Sequence, residues 1–256
     1  MEKPTNIQQN GPLITFQNMN LAIDQGNSST KLGFFDKGKL IATYKLVFLD
    51  KKVISELIKR YRPNNIILSS VTDQTKELEQ ISGNIPGQFL VFDHLTPIPV
   101  KNGYKTPETL GKDRLAAVIG AAAIYPDIPL LVIDAGTAIT FDLYHDHVYY
   151  GGNISPGLKM RFAALHQQTS RLPETTTGDT PFWGKTTEEA IRSGVQNSLL
   201  MEFEGYIKKV KKQYPDAKTV LTGGDADFFV SYTKSIIFAQ PNLVLSGLNR
   251  IIEYNA

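Results

Sequence analysis

The stretch LLVIDAGTAITFDL at residues 130–143 reads as a buried apolar strand that ends on an acid, turns at a glycine and resumes as a second strand. The same device stands near the start of the chain, in MNLAIDQGNSSTKLGFFD at residues 19–36. A shift of 110 positions lays Ile23 on Ile133, Asp24 on Asp134, Gly26 on Gly136, and Asp36 on Asp146 at the next hairpin turn. Repetition of a strand-and-hairpin opening at that distance predicts two lobes of one topology.

Strands are expected at 20–24, 30–35 and 39–48, followed by a helix over 52–61, a strand at 65–69, a helix over 73–81 and a strand at 88–92. Three prolines and an Asn-Gly pair make 96–107 a loop, and the small apolar residues of 107–124 read as a closely packed helix. The second copy adds a strand at 148–151, helices over 156–166 and 186–212, a strand at 219–221 and a last helix over 242–254. Residues 1–18 are rich in Asn, Gln and Pro without periodicity and are expected to form a flexible leader. The lobes are then expected at 19–130 and 131–256.

Composition limits the partners. A hydrophobic fraction of 41%, a charged fraction of 20% and a net charge of +2 describe an ordinary globular chain without the basic stripe that nucleic acid requires. Absence of cysteine removes disulfides and thiolate chemistry, and is compatible with a reducing cytoplasm. No apolar run is long enough for a membrane span, so neither nucleic acid nor membrane is an expected partner. His145 and His147 would face one side of a strand, and read as a surface hairpin tip. Trp183, between Pro181 and Gly184, reads as a buried or dimer-facing anchor.

Candidate chemistry gathers at the turns. In Asp24-Gln25-Gly26-Asn27-Ser28 the glycine permits close backbone approach, Asn and Ser add donors, and the carboxylate is suited to a hydrated Mg²⁺ beside phosphates. Asp134-Ala135-Gly136-Thr137 repeats the device, so the pair could clamp a triphosphate. Leu221-Thr222-Gly223-Gly224-Asp225 is a third turn after an apolar strand, able to let a base or ribose lie against the backbone. Gly111-Lys112-Asp113-Arg114 sets an acid and a guanidinium at the small-residue helix. There Asp113 could accept a proton from a hydroxyl nucleophile, and Arg114 could hold an acidic substrate or the transferring phosphoryl group. Gly151-Gly152-Asn153-Ile154-Ser155-Pro156-Gly157 reads as a glycine-rich turn feeding a helix, serving either as a plain helix start or as an anion site.

These motifs, in this order, resemble the type III pantothenate kinases over essentially residues 19–256. The resemblance implies a duplicated ribonuclease-H-like α/β fold of the actin-like ATPase superfamily. It also implies a homodimer, and transfer of a phosphoryl group from ATP to pantothenate with Mg²⁺ and K⁺ or NH4⁺. It carries the proton-acceptor role to Asp113 and the monovalent-cation role to Asp134. ATP contacts fall to Asp24, Gln25, Gly26, Asn27, Ser28, Ser29, Thr30, Lys31 and Thr137. Pantothenate contacts fall to Tyr104, Gly111, Lys112, Asp113, Arg114 and Thr187, the last near the implied dimer interface. Gln25 and Thr106 depart from the residues usual in that family. Two other readings compete: a non-catalytic regulator on the same fold, and a kinase for another small metabolite such as a sugar or acetate.

Overall fold

The computed structural model describes residues 18–26, 29–47, 50–70, 75–83, 85–232 and 237–256. Asn27, Ser28, nearly all of the expected leader and the start of the helix expected from 73 lie outside the described residues.

The first sheet has the order β3-β2-β1-β4-β5, built from β1 (Met19–Gln25), β2 (Thr30–Asp36), β3 (Lys39–Leu46), β4 (Asn65–Ser70) and β5 (Phe89–Val91). Helices α1 (Lys51–Tyr61) and α2 (Thr75–Ser82) supply its crossovers. The second sheet comprises β7 (Leu130–Ala135), β8 (Ala138–His145), β9 (Val148–Pro156), β10 (Lys218–Thr222) and β11 (Ile237–Ala239), with the short β6 (Lys101–Asn102) added beyond β9. Its order is β11-β10-β7-β8-β9-β6. Set side by side, β9-β8-β7-β10-β11 reproduces β3-β2-β1-β4-β5, with two antiparallel and two parallel pairings in the same places. The repeat in the sequence is therefore a repeat of topology.

Strand periodicity of two distributes the apolar side chains between layers. Leu21 and Ile23 of β1 join Leu32, Phe34, Ile54 and Leu57 beneath α1. Leu131 and Ile133 of β7 join Phe141, and they meet Phe162 of α4 (Leu158–Gln167), Leu199 and Phe203 of α5 (Thr187–Gln213) and Phe229 of α6 (Ala226–Tyr232). The opposite faces, carrying Ala22 and Ile67 in one sheet and Val132 and Val220 in the other, share a central core with α3 (Lys112–Ile124) and α7 (Leu243–Asn255). Helix α7, although last in the chain, packs on β1 and β4 of the first sheet, while α3 packs on β7 and β8 of the second. The helix pair thus ties both sheets together.

Close approach of α3 and α7 requires glycine. A Cβ on Gly247 would stand 1.8 Å from the Ala116 carbonyl oxygen, and one on Gly120 would stand 2.4 Å from that of Leu243.

Two expected elements take a different form. The helix expected over 107–124 is a 3₁₀ turn at Pro107–Thr109, a break at extended Leu110, and then α3 with Gly111 as its N-cap. Residues 151–157, read from glycine content as a turn, instead continue β9 to Pro156, and α4 begins only at Leu158. Contact with β8 rather than turning accounts for some of these glycines: a Cβ on Gly152 would lie 2.0 Å from the Phe141 carbonyl oxygen. The turn at 146–147 does form, with Asp146 and His147 both at positive φ, and His147 Nε2 lies 3.1 Å from Asp127 Oδ1.

Gly247→Ala is expected to lower the unfolding free energy in urea by about 2–3 kcal/mol, because backbone rather than a mobile side chain must yield. Gly205→Ala in α5, where an added Cβ meets nothing within 4 Å, should be neutral or stabilise by about 0.5–1 kcal/mol.

Candidate active site

Both sheets deliver an acid to one electrostatic neighbourhood. Asp24 lies at the C-terminal end of β1, paired in register with Lys31 on β2 and Ser69 on β4. Asp134 occupies the matching place in β7, opposite Thr140 on β8 and Thr222 on β10. Gly26 N–H donates to the Ser29 carbonyl at 3.1 Å, and Gly136 N–H to the Ala138 carbonyl at 3.1 Å. Each glycine amide therefore closes its own turn, so the grip on a ligand falls to neighbouring groups.

The third acid arrives on α3. Asp113 is exposed near the N-terminus of α3, where its Oδ1 accepts from the Arg114 backbone N–H at 2.9 Å. Its charge is felt at both strand ends. Burial first, and Asp113 second, push Asp24 up to about 6, with Lys31 pulling in the opposite direction. Burial, then Asp113, push Asp134 up to about 7, again against Lys31, while Asp24 and Asp142 add smaller repulsions. Asp24, Asp113, Asp134 and Lys31 thus form one electrostatic unit.

Arg114 is almost fully buried, and its charge is held by an acid that the sequence reading missed. Its Nε donates to Asp142 Oδ1 at 3.1 Å, its Nη2 to the same oxygen at 2.6 Å, and the Tyr149 hydroxyl donates there at 2.8 Å. Burial works against the guanidinium, and Asp142 more than offsets it, raising Arg114 above its ordinary value. Burial and the same carboxylate also raise Tyr149. Asp142 was detectable as a lone acid inside the apolar run ITFDLY, a placement that requires a buried partner. The guanidinium carbon stands 5.8 Å from the centre of the Tyr104 ring. Gly151, at φ 95°, makes room for that ring, since a Cβ there would lie 3.0 Å from Tyr104 Cδ2.

The remaining expected residues divide. Gln25 and Thr30 are buried at the first turn, with Gln25 Oε1 accepting from Ser70 Oγ at 2.8 Å. Lys112 Nζ donates to the Ser70 carbonyl at 3.2 Å. Thr137 is exposed, and its carbonyl accepts from Gly157 N–H at 3.1 Å. Thr187 is exposed at the first turn of α5, whose start is fixed by a capping box between Thr186 and Glu189.

Beside the second turn, Asp225 N–H donates to the Ala135 carbonyl at 2.9 Å. Gly223, at φ 102°, is irreplaceable there, because a Cβ would stand 2.3 Å from the Ala135 carbonyl oxygen. This third turn opens on a cavity of about 500 Å³ lined by Phe162, His166, Thr175, Gly224, Asp225 and Phe228. Burial raises Asp225, with Lys159 opposing.

A duplicated sheet whose matching strand ends each present an acid to a shared cleft defines the actin-like, two-lobed class of ATP-dependent kinases and their relatives. Solved structures of similar fold include a protein described as a conserved Baf family transcriptional activator from Campylobacter jejuni, with TM-score 0.57 at 24% identity over 92% of this chain and 98% of that one. Component A of (R)-2-hydroxyglutaryl-CoA dehydratase from Acidaminococcus fermentans follows at TM-score 0.53 and 13% identity, over 94% of this chain and all, 100%, of the other. A sequence model of type III pantothenate kinase matches residues 20–209. The type III pantothenate kinase of Phocaeicola vulgatus is 45% identical over 239 residues, covering 93% of this chain and 99% of its own. That of Bacteroides fragilis is 43% identical over 242 residues, covering 93% and 98%. The chain belongs to the type III pantothenate kinase family.

The raised carboxyls predict a pH response. The folded state holds these protons more tightly than the unfolded chain, so their contribution to stability declines as pH rises from about 4 to about 7. Asp134→Asn should flatten part of that decline and raise the melting temperature of the ligand-free protein at pH 8 by about 5 °C, with little effect at pH 4. Equal melting curves for both proteins at pH 8 would contradict the electrostatic strain.

Proposed function

We propose that this chain transfers the terminal phosphoryl group of ATP to the primary hydroxyl of pantothenate, giving 4'-phosphopantothenate and ADP at the start of coenzyme A synthesis. The observation that carries the reading is the convergence of Asp113, exposed near the N-terminus of α3, with Asp24 and Asp134 at duplicated strand ends. Family membership supplies the substrate.

Phosphoryl transfer runs through a loose transition state, so catalysis is chiefly positioning and charge stabilisation. Asp113 accepts the proton of the attacking hydroxyl, and its link to the Arg114 amide holds the carboxylate at the helix start. Tyr104, seated over Gly151, and Arg114, fixed by Asp142, form a wall for the acidic substrate. Residues 24–26 and 29–31 with Thr137 flank the phosphates, and the cavity beside Gly224 receives the nucleoside.

The acids also fit bound cations. No group of three or more His, Cys, Asp or Glu side chains able to hold a metal occurs among the described residues. Mg²⁺ needs none, since it binds through one or two carboxylates together with phosphates and water. The raised values of Asp24 and Asp134 mark negative charge that a cation would relieve. Asp24 would hold Mg²⁺ through water and Asp134 a monovalent ion, K⁺ or NH4⁺. Such ions offset charge on the phosphates.

A homodimer suits the outer face of α5. Trp183 is 80% exposed, Phe182 and Met201 line one groove with it, and Met160 is exposed on a second groove that shares Ala190. Apolar grooves run on either side of Ala190, Gly194 and Ser198, and Thr187 stands at the end of the same helix. Pairing of two copies here would set Thr187, exposed at the first turn of α5, beside the interface. No helix among the described residues is long and apolar enough to cross a membrane. The need for ATP is consistent with work in the cytoplasm.

Purified protein given ATP with pantothenate, glucose or acetate should release ADP with pantothenate alone. Asp113→Asn should lower kcat by about 10²–10⁴ while nucleotide still binds, and retention of full turnover would remove Asp113 from its role. Turnover per chain should fall as dilution separates the dimer, and Trp183→Glu should shift that fall to higher concentration; constant turnover by a verified monomer would refute the shared site.

A further inference from the structure

Lys112 immediately precedes Asp113, and its ammonium donates to the Ser70 carbonyl, at the end of β4. From the same residue, Ser70 Oγ donates to Gln25 Oε1 at 2.8 Å. Gln25 and Ser70 are 5% and 7% exposed, so the bond between them lies out of competition with bulk water, while the Lys112 bond is half-buried. They are also neighbours in the β1–β4 ladder, and Gln25 directly precedes Gly26, whose amide closes the first turn on Ser29. A continuous line of contacts therefore runs from the turn of the first sheet, through the end of β4, to the residue before Asp113. Helix α3 otherwise packs mainly on α7 and on the second sheet. The Lys112 bond is thus a direct tie between the base-bearing helix end and the nucleotide-facing edge of the first lobe.

We propose that Lys112 and Gln25 are positioning residues that act through Ser70, so that the first turn, when it holds a nucleotide, fixes the start of α3 and the direction of the Asp113 carboxylate. The inference rests on Asp113 accepting the proton. An ammonium on a carbonyl is a charge-assisted bond, strong enough to hold a helix end whose cap residue, Gly111, provides no side chain. Placement of a reacting group to within a fraction of an ångström is what such a tie provides, since about 1 Å of error can cost about 100-fold in rate. This role differs from direct contact with the substrate, the role that the family resemblance gives to position 112.

The test uses the full chain and two readouts. In steady-state kinetics, Lys112→Met should lower kcat by about tenfold and leave the pantothenate KM within about twofold, with Lys112→Arg recovering part of the loss. Gln25→Leu should lower kcat as well, and the double variant should lose less than the product of the two single effects. A raised pantothenate KM with unchanged kcat in Lys112→Met would make Lys112 a substrate ligand and overturn the proposal, as would fully multiplicative losses. Wild-type turnover of pantothenate and its loss in Asp113→Asn are the controls that report separately on the reaction. The second readout needs no turnover: hydrogen exchange at the first turn of α3, including the Leu115 amide bonded to the Gly111 carbonyl at 3.3 Å. ADP should slow that exchange in the wild type and not in Gln25→Leu or Lys112→Met. Exchange that ignores ADP in the wild type, or responds equally in all three proteins, would overturn the proposal whatever the substrate.

Discussion

Negative charge crowded into one cleft governs this molecule. Asp24 and Asp134 end their strands at equivalent places, Asp113 faces them from α3, and Lys31 is the cation that opposes all this at close quarters. An isolated fold would avoid such an arrangement, because burial and mutual repulsion both resist ionisation. It becomes an asset when phosphates and their counterions enter. On the proposed reading, ions that neutralise the acids would gain more there than at a solvated surface.

The scaffold that imposes this convergence is the crossing of α3 and α7. Gly120, Gly247 and Ala116 let the two backbones nearly touch, and each helix packs on the sheet of the other half of the chain. The interleaving makes the cleft a product of both halves. Its two sides have diverged within the shared topology: Lys31 stands opposite Asp24, whereas the neutral Thr140 stands opposite Asp134. The first side therefore supplies the lysine whose charge also reaches Asp134 on the second. The buried Arg114–Asp142–Tyr149 group performs a different task, setting the wall beneath Tyr104.

Much of this was legible in the chain itself. An apolar run ending in Asp-x-Gly, met twice at a spacing of 110, gave the duplicated topology, because strand, acid and turn are all local features. The acids that converge were also visible, Asp24 and Asp134 as the ends of such runs and Asp113 beside an arginine at the small-residue helix. Tertiary approach was not. Gly151 to Gly157 read locally as a turn, while in the fold Gly152 and Gly157 lie where β8 and the Thr137 backbone come too close for any Cβ. Asp142 went unnoticed because its meaning depends on Arg114, 28 residues away and on another element. The links from Lys112 to Ser70 and from Ser70 to Gln25 span similar distances in sequence and are invisible to periodicity.

A crystal structure of the protein with a non-hydrolysable ATP analogue, Mg²⁺ and pantothenate reports most directly on whether these acids share one reaction. The terminal phosphate should lie between Asp24 and Asp134, with the pantothenate hydroxyl within hydrogen-bond reach of Asp113 and in line with the phosphorus. Phosphates bound away from the two strand ends, or a hydroxyl that Asp113 cannot reach, would contradict the convergence of the three carboxylates on a single chemical step.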